Sequence, residues 1–108
     1  MKIAERVILR LSAENPDPVK IADYVNIITD RLTLRLGTDT LPKAFESIAA
    51  DATVKLYRRA MFEGILSEGT DGLKTEFVAD ILAEYADEIA AYKDSKAKTD
   101  GERTIYFL

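Results

Sequence analysis

The sequence predicts an all-α fold: a small bundle of four main helices, a long loop between the third and fourth, and an extended C-terminal tail. Three observations carry this reading. Apolar residues recur at helical spacing along most of the 108 residues. Proline and glycine fall between these stripes, at Pro16, Pro18, Gly37, Pro42 and Gly64, where helices start and stop. Alanine, the strongest helix former, occupies positions 44, 49, 50, 52 and 60 of the central stretch and lets a neighbouring helix approach closely.

The elements follow in order. Ile3, Val7, Ile8 and Leu11 share one face of a short first helix, which Asn15-Pro16-Asp17-Pro18 stops. Asp17 is placed to cap the second helix, with Pro18 at its first position, where a missing N–H is harmless. Ile21, Val25, Ile28, Leu32 and Leu36 carry that helix to about Gly37. Its end, Arg31 to Leu36, also alternates like a strand. Helix is the preferred reading, because the stripe enters in register and Gly37 suits the position just past a helix. A third helix is expected from near Pro42, capped by Thr40 or Leu41, with Phe45, Ile48, Ala49, Ala52, Leu56 and Ala60 buried and Gly64 as terminator. The segment Ile65–Lys74 reads as a mobile loop. A fourth helix carries Ile81, Leu82, Tyr85, Ile89 and Tyr92. Lys93 to Gly101 reads as a polar linker, so residues 1–93 form the helical domain and 94–108 a linker and interaction tail.

Composition narrows the chemistry. The chain contains no cysteine, histidine or tryptophan. Without cysteine there is no disulfide, thiolate zinc site or thiol nucleophile, which suits a reducing cytosol. Without histidine, the usual general base near neutral pH and the commonest metal ligand are gone. The expectation is a protein that is not an enzyme, with no cofactor and no metal site. A net charge of −4 argues against free nucleic acid as a partner. No apolar run approaches a membrane span. Charges at Lys2, Glu5 and Arg6 interrupt the opening too early for a secretory signal.

Local motifs reduce to ordinary structure. Gly64-Ile65-Leu66-Ser67-Glu68-Gly69 has the opening spacing of a phosphate-binding loop. Thr70-Asp71 stands where lysine and a hydroxyl residue belong, and Glu68 and Asp71 would repel phosphate. Glu68, Asp71 and Glu76 lack the alternating oxygen ligands of a calcium loop. Glu84, Asp87 and Glu88 read as the wet face of an amphipathic helix rather than as an acid–base pair. Tyr24, Tyr57, Tyr85 and Tyr92 read as core-edge residues with wet hydroxyls.

Two features keep two readings each. Arg58 and Arg59 either pair within the chain, with Glu63 or Glu46, or meet a second subunit, since arginine is enriched at interfaces. Ile105, Tyr106, Phe107 and Leu108 either fold back onto the bundle or bind a partner. As an extended segment with Thr104, they could add a strand to another protein's sheet.

A resemblance extends over residues 3–92. Its carriers, in order, are Ile28-Thr29-Asp30-Arg31-Leu32, Leu34-Arg35-Leu36-Gly37, Leu41-Pro42 and Phe45-Glu46-Ser47-Ile48. Tyr57-Arg58-Arg59, Glu63-Gly64, Ser67-Glu68, Gly72 and Tyr85-Ala86-Asp87-Glu88-Ile89 complete the series. Together these residues resemble the gp6-like head–tail connector (adaptor) proteins of long-tailed bacteriophages. Leu66 and Thr70-Asp71 depart from the serine- and acid-rich loop of that pattern. The resemblance implies a non-enzymatic structural protein. It would form a twelve-fold ring under the portal at the capsid vertex, in the virion, after synthesis in the host bacterial cytoplasm. Such a ring extends the DNA channel toward the tail, and DNA passes through without specific binding. Its partners would be further copies of the chain, the portal protein and a tail-completion protein, with no membrane involved. On this reading Arg58, Arg59, Glu63, Ser67 and Glu68 meet the next subunit, and Thr104, Ile105, Tyr106, Phe107 and Leu108 meet the portal. Two rival classes are a small helical protein-binding or regulatory module, and a DNA-binding helical domain using Arg31, Arg35, Arg58 and Arg59.

Overall fold

A computed structural model describes the backbone of residues 2–63 and 71–107, and the side chains of residues 2–61 and 76–96. Among the described residues the elements are helical: α1 (Ile3–Arg10), α2 (Pro18–Leu36), α3 (Glu46–Glu63), α4 (Asp71–Ala83) and α5 (Ala86–Phe107).

Helix boundaries follow the local chemistry. The Glu5 carboxylate accepts the Lys2 N–H at 3.1 Å and satisfies a free amide at the start of α1. After α1 a single tight turn, Ser12–Glu14, leads to Asn15, whose φ of 49° is left-handed, a conformation asparagine tolerates better than most residues. Asp17 caps α2 as expected, its Oδ1 accepting the Val19 N–H at 3.0 Å, with Pro18 as the first helical residue. Gly37 closes α2 at φ 71°, so the alternating segment before it is helical.

A Cβ built on Gly37 meets nothing within 4 Å, so a side chain there would cost backbone strain alone. Gly37→Ala should therefore lower stability by about 1 kcal/mol, and Gly37→Asn by less. Chemical denaturation of the two variants checks this; equal losses would mean that the left-handed conformation is not the source.

The third helix starts later than expected. Pro42, in extended conformation, precedes a tight turn at Lys43–Phe45, where the Phe45 N–H donates to the Pro42 carbonyl at 2.9 Å. Only from Glu46 does α3 take up regular geometry, the tighter turn having closed its first ring.

Helix α3 is the centre of the bundle. It packs against α1, α2 and α4, while α5 lies against α2. The core joins Val7 of α1 and Leu11 just past its end to Ile21, Tyr24, Ile28, Leu32 and Leu36 of α2, and to Ala49, Ala52, Leu56 and Ala60 of α3. Val78, Ile81 and Leu82 of α4, Tyr85 and Ile89 complete it. Ile3, Ile8, Val25, Ile48 and Tyr92 pack at its margin. Thr53 is fully buried among these groups, and its hydroxyl donates to the Ala49 carbonyl at 2.7 Å, so no polar atom is stranded there. Phe45 and Tyr92 meet edge to face, centroids 5.4 Å apart, and fix the start of α5 against the α2–α3 connection.

Three expectations are corrected. The fourth helix is two helices, because the chain turns at Glu84 and Tyr85. There the Glu84 and Tyr85 N–H groups donate three residues back, to Ile81 and Leu82, at 3.1 and 3.0 Å. The loop expected over Ile65–Lys74 does not extend to its end, since Asp71–Lys74 belong to α4; Gly64, expected to terminate the third helix, and residues 65–70 lie outside the described residues. The polar linker and extended tail are also replaced by helix: α5 crosses residue 93 unbroken and continues to Phe107. Lys93 to Lys98 contains no proline and several good helix formers, so a helix entering from upstream has nothing to stop it.

Candidate functional site

Arg58 and Arg59 lie late in α3, and each is held by a different helix. The Arg58 Nη2 meets Glu14 Oε2 at 3.1 Å, just beyond α1. The Arg59 Nη1 lies 3.9 Å from Asp80 Oδ2 on α4, and its guanidinium stands 4.8 Å from the Phe77 ring centroid. Both partners come from distant elements rather than from Glu46 on the same helix; the expected pairing with Glu63 lies outside the described side chains. Both arginines stay substantially exposed, at 50% and 40% of their side-chain surface, so these surface pairs contribute little to stability. Glu63 ends α3, and its side chain lies outside the described residues, as do Ser67 and Glu68 altogether. Thr104, Ile105, Tyr106 and Phe107 form the last turn of α5, with side chains outside the described residues; Leu108 is outside them entirely.

A denser polar cluster stands one turn back on α3, around Asp51 and Lys55. Arg10 of α1 donates to Asp51 Oδ1 at 3.2 Å. The Tyr85 hydroxyl donates to Asp51 Oδ2 in a short bond. Lys55 Nζ lies 3.4 Å from Asp51 Oδ2 and 2.9 Å from Glu84 Oε1, and 4.9 Å from the Tyr85 ring centroid. One turn of α3 therefore grips α1 on one side and the α4–α5 turn on the other. The Tyr85 hydroxyl, followed by Lys55 and Arg10, holds the Asp51 carboxyl below its usual range. Lys55 is held above its usual range by Tyr85 and then Glu84. Burial, and next the Asp51 carboxylate, push the Tyr85 hydroxyl up. These shifts keep Asp51 and Lys55 charged and Tyr85 protonated across the neutral range, which is the behaviour of a fastener.

Sequence reasoning did not find this cluster. Asp51 and Lys55 are four apart on one helix, a spacing that signals a pair. Nothing local connects them to Arg10 or Tyr85, which lie 41 and 34 residues from Asp51. Tyr24, Tyr57 and Tyr85 also depart from the wet-hydroxyl expectation. Besides Tyr85, Tyr57 is engaged, accepting the Asp17 N–H at 3.3 Å. Tyr24 is buried edge-on against Tyr57, with centroids 6.2 Å apart, and burial, then Asp23, raise its hydroxyl pKa.

The same geometry separates the four arginines considered as a DNA patch. The Asp17–Tyr57 bond places the start of α2 beside the end of α3. Arg31 and Arg35 therefore lie about 20 Å or more along α2 from the Arg58–Arg59 end, at 1.5 Å of rise per residue.

Between α3 and α4 runs an open groove of about 490 Å³ lined by Lys55, Arg58, Arg59, Asp80, Ile81 and Glu84. Among the described residues no group of acidic side chains is arranged to hold a metal ion, and no helix is long and apolar enough to cross a membrane. Comparison with known protein families, with curated proteins and with solved structures finds no match to this chain.

Proposed function

We propose that this chain is a structural head–tail connector (adaptor) of a long-tailed bacteriophage, forming a ring under the portal and extending the DNA channel. The observation that carries the proposal is the ordered series of matching residues from Ile28 to Ile89 described above. An all-helical fold is consistent with it. So is the surface: Leu9, Val19, Leu34 and Met61 are large apolar side chains left more than half exposed, on α1, at both ends of α2 and late in α3. Copies of the chain packed side by side would cover such residues.

Helix α5 alters the mode proposed for portal contact. With the backbone helical to Phe107, an added strand is no longer the fitting geometry. A helix laid into a groove of the portal replaces it, with Ile105 and Phe107 among its candidate contacts and avidity supplied by the number of copies in the ring.

Disruption of the gene in the phage or prophage that carries it tests the proposal. DNA-filled heads without tails should accumulate, visible by electron microscopy, and the intact gene supplied in trans should restore tailed particles. A chain lacking residues 103–108 should fail to restore them while keeping nearly all of its helical circular dichroism. Normal tailed particles in the absence of the chain would overturn the function.

A further inference from the structure

We infer that the pocket between the end of α2 and the middle of α5 binds a small zwitterion, its ammonium toward Asp39 and its carboxylate toward Lys96. This goes beyond the connector reading and does not depend on it. The pocket measures about 420 Å³, within the range of small-molecule sites. Two charged side chains line it, Asp39 from the α2–α3 connection and Lys96 from α5. Both are exposed, and neither makes an ion pair among the described residues, with the other or with any third group. They stand on one cavity, too far apart to meet directly. Opposite charges held apart in this way favour a molecule that carries both charges itself.

The orientation of the ligand follows from the helices that frame the pocket. Helix α2 ends there, at Gly37, and the C-terminal end of a helix carries partial negative charge. That charge adds to Asp39 and places the ammonium on this side. Arg35 lies in the last turn of α2 but does not line the pocket. On the opposite wall, Tyr92 and Lys96 are four apart on α5 and share a face. The edge-on contact with Phe45 holds the Tyr92 ring and so fixes the helix from which Lys96 projects. Beside Asp39, the Thr38 hydroxyl is buried and has no hydrogen-bond partner among the described residues. Turning it toward the pocket about χ1 breaks no hydrogen bond and gives it one to the ligand.

Amide chemical shifts of the full chain, followed during titration with glycine, β-alanine and γ-aminobutyrate, test the inference. These zwitterions differ in the separation of their charges. At least one should give saturable shifts concentrated at residues 37–40 and 92–96. Acetate, methylammonium and glycerol should each bind at least about fivefold more weakly than the best zwitterion, since each lacks one charge or both. Asp39→Asn and Lys96→Gln should each weaken that zwitterion by about fivefold, the effect of one solvent-exposed ion pair. The exchange Asp39→Lys/Lys96→Asp should bind it more tightly than either single variant, because the ligand can turn end for end. Thr38→Val should weaken binding without lowering the melting temperature, since the hydroxyl bonds nothing in the fold. The comparison of ligands uses the parent chain and decides the matter even if a variant fails to fold. Acetate or methylammonium binding as tightly as the zwitterions would mark a site for a single ion, and glycerol a site for an uncharged polyol; either overturns the inference. So does the absence of saturable shifts with all three zwitterions, or binding that Asp39→Asn or Lys96→Gln leaves unchanged. None of these results bears on the connector reading.

Discussion

Leu56→Ala should lower the melting temperature by about 12–24 °C. Leu56 is fully buried on α3, the helix that α1, α2 and α4 all pack against. Truncating such a leucine costs about 3 kcal/mol through lost burial and the cavity left behind. Each kcal/mol moves the midpoint of a domain of this size by about 4–8 °C. With total stabilities of about 5–15 kcal/mol for natural domains, this one change removes a large fraction. Differential scanning calorimetry supplies the measurement. A shift below about 4 °C would mean that α3 is not the element around which the others are organised.

Asp51→Ala is expected to have the next largest effect, and a distinctive one, because Asp51 joins three separate elements through Arg10, Lys55 and Tyr85. Asp51 is 40% exposed, so solvent screening limits each of these contacts. Tyr85→Phe, which removes only the hydroxyl, should cost about 1 kcal/mol, and the double variant less than the sum of the singles. Additive losses in that cycle would show that the two groups act independently. The pH profile carries the same signature. Asp51 titrates below its usual value in the fold, so its contribution is present above about pH 4 and is lost as pH falls through the depressed value. Lys55 and Tyr85 titrate above theirs, so their contributions are complete below about pH 10 and are lost as pH rises through the raised values. Asp51→Ala should flatten both flanks, since it removes the acid-sensitive group and a cause of both alkaline shifts.

The parts of the fold legible in the sequence are those set by local chemistry. Asp17-Pro18 announces the start of α2 and Gly37 its end, and both do so through bonds made within a few residues. The stripes of α1, α2 and α3 were legible because one face of each meets one continuous core. The break between α4 and α5 was not. Ile81, Tyr85 and Ile89 are four apart, and all are buried on both sides of the turn, so the hydrophobic period passes through it without a fault. Neither glycine nor proline marks the place. The C-terminal segment misled for a related reason. Ile105, Tyr106 and Phe107 favour strands by composition, yet a strand needs a partner, whereas a helix already under way needs only its own backbone. Of the candidate site, Arg58 and Arg59 were legible as a conspicuous pair. Their partners, and the whole Asp51 cluster, depend on which helices become neighbours, and that is decided by packing.

The turn at Glu84 and Tyr85 has a mechanical consequence. Helix α5 has 22 residues and so extends about 33 Å from this point. Its root is fastened to α3 by two side chains, Tyr85 on Asp51 and Glu84 on Lys55, while α4 approaches from the other side of the same turn. That arrangement is a lever. The Phe45–Tyr92 contact braces the helix about two turns farther on, so the lever arm is the stretch beyond Tyr92, about 22 Å long. A rotation of about 10° at that brace carries the far end of α5 through about 4 Å, most of one turn of helix.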